Sequence, residues 1–158
     1  MIHDKTLRVG ACDWEHSQWQ GSFYPEDLPS EWRLSYYANE FSAVLVPEAK
    51  WQAEDVDFEQ WAEDVPEGFR FYFLTSQAKE KNLQIFNAAR NELGELFSGF
   101  VNPQMSESVA LIRFEAKSLR EWKGWLQLTD YSAIFLTDDK LSTKQLNDFQ
   151  SLIEFMGL

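Results

Sequence analysis

Short apolar segments alternate along this chain with stretches whose apolar residues recur at helical spacing, and this alternation constrains the fold most strongly. Five segments are short and mostly rich in β-branched or aromatic residues, which predicts strands at residues 7–12, 43–46, 69–74, 109–114 and 133–137. Because helical segments separate these strands, we predict an α/β fold with a mostly parallel sheet. The third segment is apolar on both faces, as in sheets that are covered on both sides.

The helical segments carry recognisable end signals. Capping-box spacing predicts three helix starts, at Asp57 with Gln60, at Ser118 with Glu121, and at Ser142 with Gln145. Pro29 suits the first position of an earlier helix, and Gly157 suits the left-handed residue that ends the last one. The longest helical stretch is predicted from Leu83 through Phe97. The 158 residues favour a single domain, 1–158, of five βα units.

The charge balance argues against several classes of partner. The chain has 26 acidic residues against 14 Lys and Arg, a formal net charge of −12. Nucleic acids and anionic membranes attract basic patches, so neither is expected as a partner. The first ten residues lack the apolar run of a signal peptide, and no stretch approaches the roughly 20 apolar residues of a membrane span. We expect a cytoplasmic protein.

Cofactor and metal motifs are missing from the sequence. GxGxxG, GxxxxGK[ST] and GxSxG do not occur, which disfavours nucleotide cofactors and α/β-hydrolase chemistry. Cys12 is the only cysteine, so an internal disulfide is impossible and nothing resembles the Cys/His spacing of a zinc site. We therefore predict no cofactor.

Reactive side chains concentrate just after the first predicted strand. Asp13, Glu15 and His16 could support acid–base chemistry or one face of a metal site, although a solvated loop also explains them. Cys12 could be a nucleophile with His16 as its base, or a small buried core residue. Four aromatic residues of the same stretch could stack on a sugar, but we expect them to pack against the first helix: Trp14, Trp19, Phe23 and Tyr24.

Further candidates fall near the ends of later strands. For catalysis these are Glu48, Arg113 and Glu115, which would join Asp13 and His16 at one edge of the sheet. Asp138 and Asp139 are candidates for a divalent cation, because such ions prefer carboxylate oxygens. The same pair of acids is also typical of a turn that enters the last helix, so no metal site is predicted.

The stretch LRVGACDWEHSQWQGSFYPEDLPSEWRLSYYANEF resembles the start of the YecE-like family, a domain of unknown function. That family opens with a V-G-x-S-G-W strand, a W-x-G-x-F-Y-P segment and a helix containing Y-Y-A and Phe. Later, FEQWAEDVPEGFRFYF resembles its W-x-x-x-x-P-x-x-F-x-F segment. The resemblance covers about half of the chain. It implies a sheet like that of a TIM barrel, with any site at the carboxyl ends of the strands.

Polar positions of the family pattern are replaced in this chain. The family's V-E-I-N strand here reads Val44-Leu45-Val46-Pro47, and the lysine that ends its third strand corresponds to Leu74. A glutamine on the family's fourth strand corresponds to Arg113. An E-x-R pair on its fifth strand corresponds to Phe135 and Thr137. Apolar residues cannot transfer a proton. The resemblance therefore implies a retained scaffold whose ancestral polar site has been lost.

The 158 residues do not suffice for a complete eight-unit barrel, which needs about 250. We predict a truncated TIM-barrel-like sheet, with an open three-layer α/β sheet as the alternative. A truncated barrel would leave its inner face bare, which predicts either a homodimer or a rearranged sheet. The preferred function is a non-catalytic interaction or structural role. The alternatives are a residual hydrolase, or a binder of a small sugar-like or phosphorylated molecule.

Overall fold

The structure, a computed structural model, describes residues 7–76 and 83–158 and contains one curled sheet of six strands. The strands are β1 (Arg8–Cys12), β2 (Ala43–Val46), β3 (Arg70–Leu74), β4 (Phe97–Val101), β5 (Val109–Ile112) and β6 (Ala133–Leu136). Their spatial order is β4-β3-β2-β1-β6-β5, and every pair is parallel. The predicted α/β class, with a shortened TIM-barrel-like sheet, is confirmed.

In the described residues, six α-helices lie between and after the strands. They are α1 (Arg33–Glu40), α2 (Glu48–Trp51), α3 (Phe58–Asp64), α4 (Leu83–Leu93), α5 (Leu119–Gln127) and α6 (Thr143–Met156). The capping boxes at Ser118 and Ser142 are complete, and Gly157 has the predicted left-handed conformation. At the start of α3 only half of the predicted capping box forms: the Asp57 side chain accepts from the backbone amide of Gln60. Within the described part of the chain, no helix combines the length and hydropathy needed to cross a membrane.

The sheet has one more strand than the sequence analysis predicted. Phe97 was assigned to the end of the long helix, because Leu93 and Phe97 have helical spacing, and no strand was predicted at residues 98–101. In the structure α4 ends at Leu93, a short 3-10 turn follows, and Phe97 begins β4. The ring of Phe97 packs 4.7 Å from that of Phe73 on β3. Residues 97–101 form a strand because they pair with β3 and because Phe97 packs on Phe73. The spacing of neighbouring residues in the sequence predicts neither contact.

The outer face of the sheet is covered by helices. Strand residues such as Val44, Phe71 and Ile134 form one buried cluster with helix residues such as Phe58 and Phe149. Aromatic rings dominate this layer, for example Trp61 stacked on Phe71 at 5.6 Å. Burial of large aromatic side chains contributes strongly to stability, so this layer is the principal core.

The inner face is filled by its own side chains. Its cluster consists of strand residues alone: Ala43, Leu45, Tyr72, Val101, Ala133 and Phe135, with Cys12, Leu74, Val109 and Leu111 packed against them. The rings of Tyr72 and Phe135 lie 5.0 Å apart. Two other strands, β2 and β1, lie between β3 and β6. In a flat sheet with the usual strand spacing, β3 and β6 would therefore be about 14 Å apart. The contact therefore requires strong curling.

The predicted bare inner face is consequently wrong. Leu45 and Phe135 are fully buried within a single chain, so no second copy is needed to cover them. No helix residue belongs to the inner cluster in the described ranges, which rules against the open three-layer alternative. The apolar side chains of Leu45, Leu74 and Phe135 explain why this face can close on itself.

A tyrosine hydroxyl is inserted between β1 and β2. Tyr37 donates to the Ala43 carbonyl at 2.7 Å and accepts from the Ala11 amide at 2.9 Å. A Cβ atom at Gly10 would lie 2.0 Å from the Ala43 carbonyl oxygen, so only glycine fits there. Burial raises the pKa of the Tyr37 hydroxyl, which keeps it protonated as the donor. These contacts fix the carboxyl end of β1, where the candidate site begins.

Candidate functional site

The loop after β1 is held in an unusual backbone conformation by Asp13. This residue has φ = 71°, a left-handed value that is uncommon outside glycine but tolerated by Asp. Its Oδ1 accepts from the backbone amides of Trp14 at 2.7 Å and Glu15 at 3.2 Å. The YecE-like pattern has glycine at this position, and the left-handed conformation explains that preference. The Asp13 carboxylate thus stabilises the turn.

A lysine distant in sequence neutralises the acids of this loop. The ammonium of Lys50, on α2, lies 3.0 Å from the Asp13 carboxylate and also pairs with Glu15. Arg33 adds a weaker contact to Glu15 at 3.4 Å. Both acids are partly exposed, so solvent screens these pairs and each contributes modestly to stability. The predicted Asp13–Glu15 cluster is therefore an ion-pair network.

His16 does not act together with the acids of the loop. Its Nε2 lies 2.8 Å from the Cys12 carbonyl oxygen and 3.2 Å from that of Asp13. Its ring packs on Trp19, with centroids 4.2 Å apart. Within the described residues no hydrogen bond joins His16 to the Asp13 carboxylate or to the Cys12 thiol. The acid–imidazole pair considered from the sequence is not assembled.

The Cys12 thiol is poorly placed for nucleophilic chemistry. Burial, followed by the nearby Asp13 carboxylate, raises the pKa of Cys12 to about 11. At neutral pH the thiol is then almost entirely protonated, whereas a nucleophile must be the thiolate. Cys12 is partly buried and packs against the inner-face cluster, so it meets the core role considered for it only in part.

The aromatic residues of the same stretch are packing residues. Trp14, Trp19 and Tyr24 are each at most 5% exposed. The Trp19 indole donates to the Leu141 carbonyl at 2.8 Å, which fastens the loop to the segment before α6. The Tyr24 hydroxyl donates to the Trp14 carbonyl. These three rings offer no free face to a sugar. Phe23 is partly exposed, and its ring packs edge-to-face on Tyr36 with centroids 5.1 Å apart.

Glu48 belongs to a second polar group, near the ends of β3 and β4. Its carboxylate accepts from the Ser76 hydroxyl at 3.0 Å and from the Thr75 hydroxyl at 3.2 Å. A recess of about 290 Å³ adjoins it and is also lined by Asn102 and Gln104. The sequence analysis selected Glu48 but not its hydroxyl partners, Thr75 and Ser76, which directly follow β3.

The acids near β5 and β6 have separate structural roles. Asp138 is buried and accepts from the backbone amides of Phe114 at 2.7 Å and Glu115 at 3.2 Å, so it caps the short helical turn after β5. The side chains of Arg113 and Glu115 pair with each other at 2.8 Å and are both largely exposed. Asp139 is exposed. Across residues 7–76 and 83–158, no three His, Cys, Asp or Glu residues converge to hold a metal ion.

The predicted residues thus form three separate groups at the carboxyl edge of the sheet, around Asp13, Glu48 and Asp138. Lys50 and Arg33 complete the first group and were missed as site residues, because both lie far in sequence from the loop whose charges they balance. Only the tertiary structure brings them there.

Comparison with known families agrees with this architecture. A family model described as "Protein of unknown function DUF72" matches residues 8–132, most of the chain. The chain belongs to this family. YecE-like proteins are members of DUF72, so the resemblance seen in the sequence is confirmed. The match extends from β1 to the residue before β6 of this DUF72 chain. No curated protein matches it, and no solved structure does.

Proposed function

We propose that this DUF72 chain is non-catalytic and has an interaction or structural role. The observation that carries the proposal is the inner face at the strand ends, where apolar side chains are packed together. Leu45 and Phe135, which replace polar residues of the family pattern, are fully buried there. A barrel enzyme needs an open polar mouth at this edge.

The remaining polar groups at this edge are bonded within the chain. Asp138 binds two backbone amides, Glu48 binds two hydroxyl groups, and Asp13 binds its own turn and Lys50. A general acid or base must lie within hydrogen-bond reach of a substrate proton. Carboxylates engaged in such contacts support the fold instead, and this favours a structural role for all three.

A turnover screen tests the absence of catalysis. Three proteins are assayed: the purified chain, Asp13→Asn and Glu48→Gln. The substrates are p-nitrophenyl acetate, p-nitrophenyl phosphate and p-nitrophenyl glucoside. We expect rates equal to buffer for all three proteins. A rate above buffer that falls at least about 100-fold in either variant would establish the alternative, a residual hydrolase with an acid–base residue at this edge.

The interaction role is supported by apolar side chains on the outer surface. Leu128 and Phe155 are 87% and 80% exposed, near the ends of α5 and α6. A protein partner or a second copy could cover them, and we propose a cytoplasmic location for this contact. Size-exclusion chromatography with light scattering distinguishes the two partners. A mass of 18.5 kDa at high concentration excludes the homodimer and leaves another protein as the partner.

A further inference from the structure

A cleft of about 620 Å³ opens beside the loop after β1, between α1, α2 and α3. Its volume lies within the usual range of small-molecule sites. The cleft has an apolar wall that includes Trp61, Leu34 and Val56. Trp61 is partly exposed, and the edge-to-face contact between Trp61 and Trp14 has a centroid distance of 5.2 Å. The cleft therefore has a rigid aromatic wall.

The cleft has a strong excess of negative charge. Its lining contains one ammonium group, that of Lys50, and six carboxylates: Asp13, Glu15, Glu31, Asp55, Asp57 and Asp64. Lys50 pairs with the first two acids. Among the described residues, no Lys or Arg forms an ion pair with the other four. Asp57 and Asp64 accept hydrogen bonds from Gln60, but no basic side chain among the described residues neutralises these four acids, so the cleft keeps a net negative charge that attracts a cation.

Lys50 shows how this cleft accommodates a cation. Its ammonium lies 4.2 Å from the centroid of the Trp14 ring while it contacts the Asp13 carboxylate. An aromatic face combined with carboxylates is the arrangement by which proteins bind organic cations. Elsewhere in the lining of the cleft, Trp61 supplies a second aromatic ring, and the four acids without an ion-pair partner in the described residues supply further carboxylates. A metal ion fits less well, because no three ligating side chains converge there in the described residues.

We propose that this cleft binds an organic cation, an ammonium or guanidinium group on a short apolar stem. The stem lies along Val56 and Trp61, and the cationic head faces Asp55 and Asp64. Anionic ligands such as phosphorylated molecules are repelled by the same carboxylates. The inference does not rest on the non-catalytic role proposed above, because binding and turnover are measured separately.

Agmatine is the probe for the test, with binding followed by calorimetry and by tryptophan fluorescence. The cleft variant is Asp55→Asn/Asp64→Asn, and the control is Glu92→Gln/Glu107→Gln, which removes the same charge from exposed positions outside the cleft. We expect saturable binding that weakens at least about tenfold in the cleft variant and less than about twofold in the control. Thermal melts establish that all the variants are folded.

Two results would overturn the proposal. One is no saturable binding of agmatine up to about 10 mM, which is weaker than ordinary specific recognition. The other is an equal loss of affinity in the cleft and control variants, which would assign binding to net charge alone. A blocked tripeptide with a central arginine identifies the source of the cation. If it binds as tightly as agmatine, the cation is the side chain of a protein partner; if only agmatine binds, the cation is a free amine.

Discussion

The two faces of the curled sheet are both buried, but they are covered by different means. On the outer face, helices bring aromatic residues such as Trp61 and Phe149 against the strands. On the inner face, strand residues such as Tyr72 and Phe135 meet each other. The difference shows how a shortened barrel avoids an exposed apolar surface. Apolar side chains line the inner face, and the curling of the sheet lets them form a second core.

The largest expected effect tests whether the inner face is a true core. Phe135→Ala should lower the free energy of unfolding by about 3–5 kcal/mol, the usual result of emptying a buried aromatic position. Phe71→Ala on the outer face should have a similar effect, while Phe155→Ala at an exposed position should change stability by less than about 0.5 kcal/mol. Urea denaturation measures all three. A loss below about 1 kcal/mol for Phe135→Ala would mean that the inner face is loosely packed.

The second prediction concerns the close contact between β1 and β2, two central strands of the sheet whose side chains contribute to both faces. Gly10→Ala should cost about 2–3 kcal/mol, because the new Cβ would meet the Ala43 carbonyl oxygen at 2.0 Å. Gly124→Ala is the matched control: nothing lies within 4 Å of a Cβ there, and alanine favours the helix interior. Thermal unfolding should move in opposite directions for the two variants. A neutral Gly10→Ala would contradict the close approach of these strands.

The third prediction concerns Asp138, the buried acid at the carboxyl edge of the sheet, where the two faces meet. Asp138→Ala should cost about 2 kcal/mol, because the amides of Phe114 and Glu115 lose their acceptor. Asp139→Ala, at the exposed neighbouring residue, should be nearly neutral. Chemical denaturation of both variants makes the comparison. Equal effects at the two positions would remove the capping role assigned to Asp138.

The last effect, which is absent at neutral pH, is a pH dependence of Cys12 at the rim of the inner face. Because its pKa is raised to about 11, the folded state favours the protonated thiol, and this stabilisation is lost as pH rises from about 9 through 11. Alkylation by iodoacetamide should be slow at pH 8 and should rise about tenfold per pH unit towards 11. A rate that levels off near pH 9, as for a free thiol, would show that Cys12 is exposed.

Local patterns in the sequence predicted a large part of the fold. β2 lies where β-branched residues indicated a strand, and the caps at Ser118 and Ser142 form as their spacing indicated. These features depend on residues within a few positions of one another. The strand at residues 97–101 was missed, because it depends on pairing with β3, more than twenty residues earlier.

The candidate site was predictable only in its separate parts. Asp13, Glu48 and Asp138 were selected from the sequence as polar residues near strand ends, but their partners could not be foreseen. Lys50 reaches Asp13 from α2, and Asp138 caps a turn 24 residues before it. Such contacts depend on the order of the strands in space, which charge and spacing do not reveal.

By itself, the sequence determined the α/β class, most of the elements and the family pattern, because these follow from local periodicity, capping and motif residues such as Gly10 and Tyr37. Only the tertiary structure decided that the shortened sheet curls until Tyr72 meets Phe135. It also decided that the acids at the strand ends bind backbone amides, hydroxyl groups and Lys50. The physical reason is that burial and charge pairing depend on distances between residues far apart in the chain, and folding alone sets those distances.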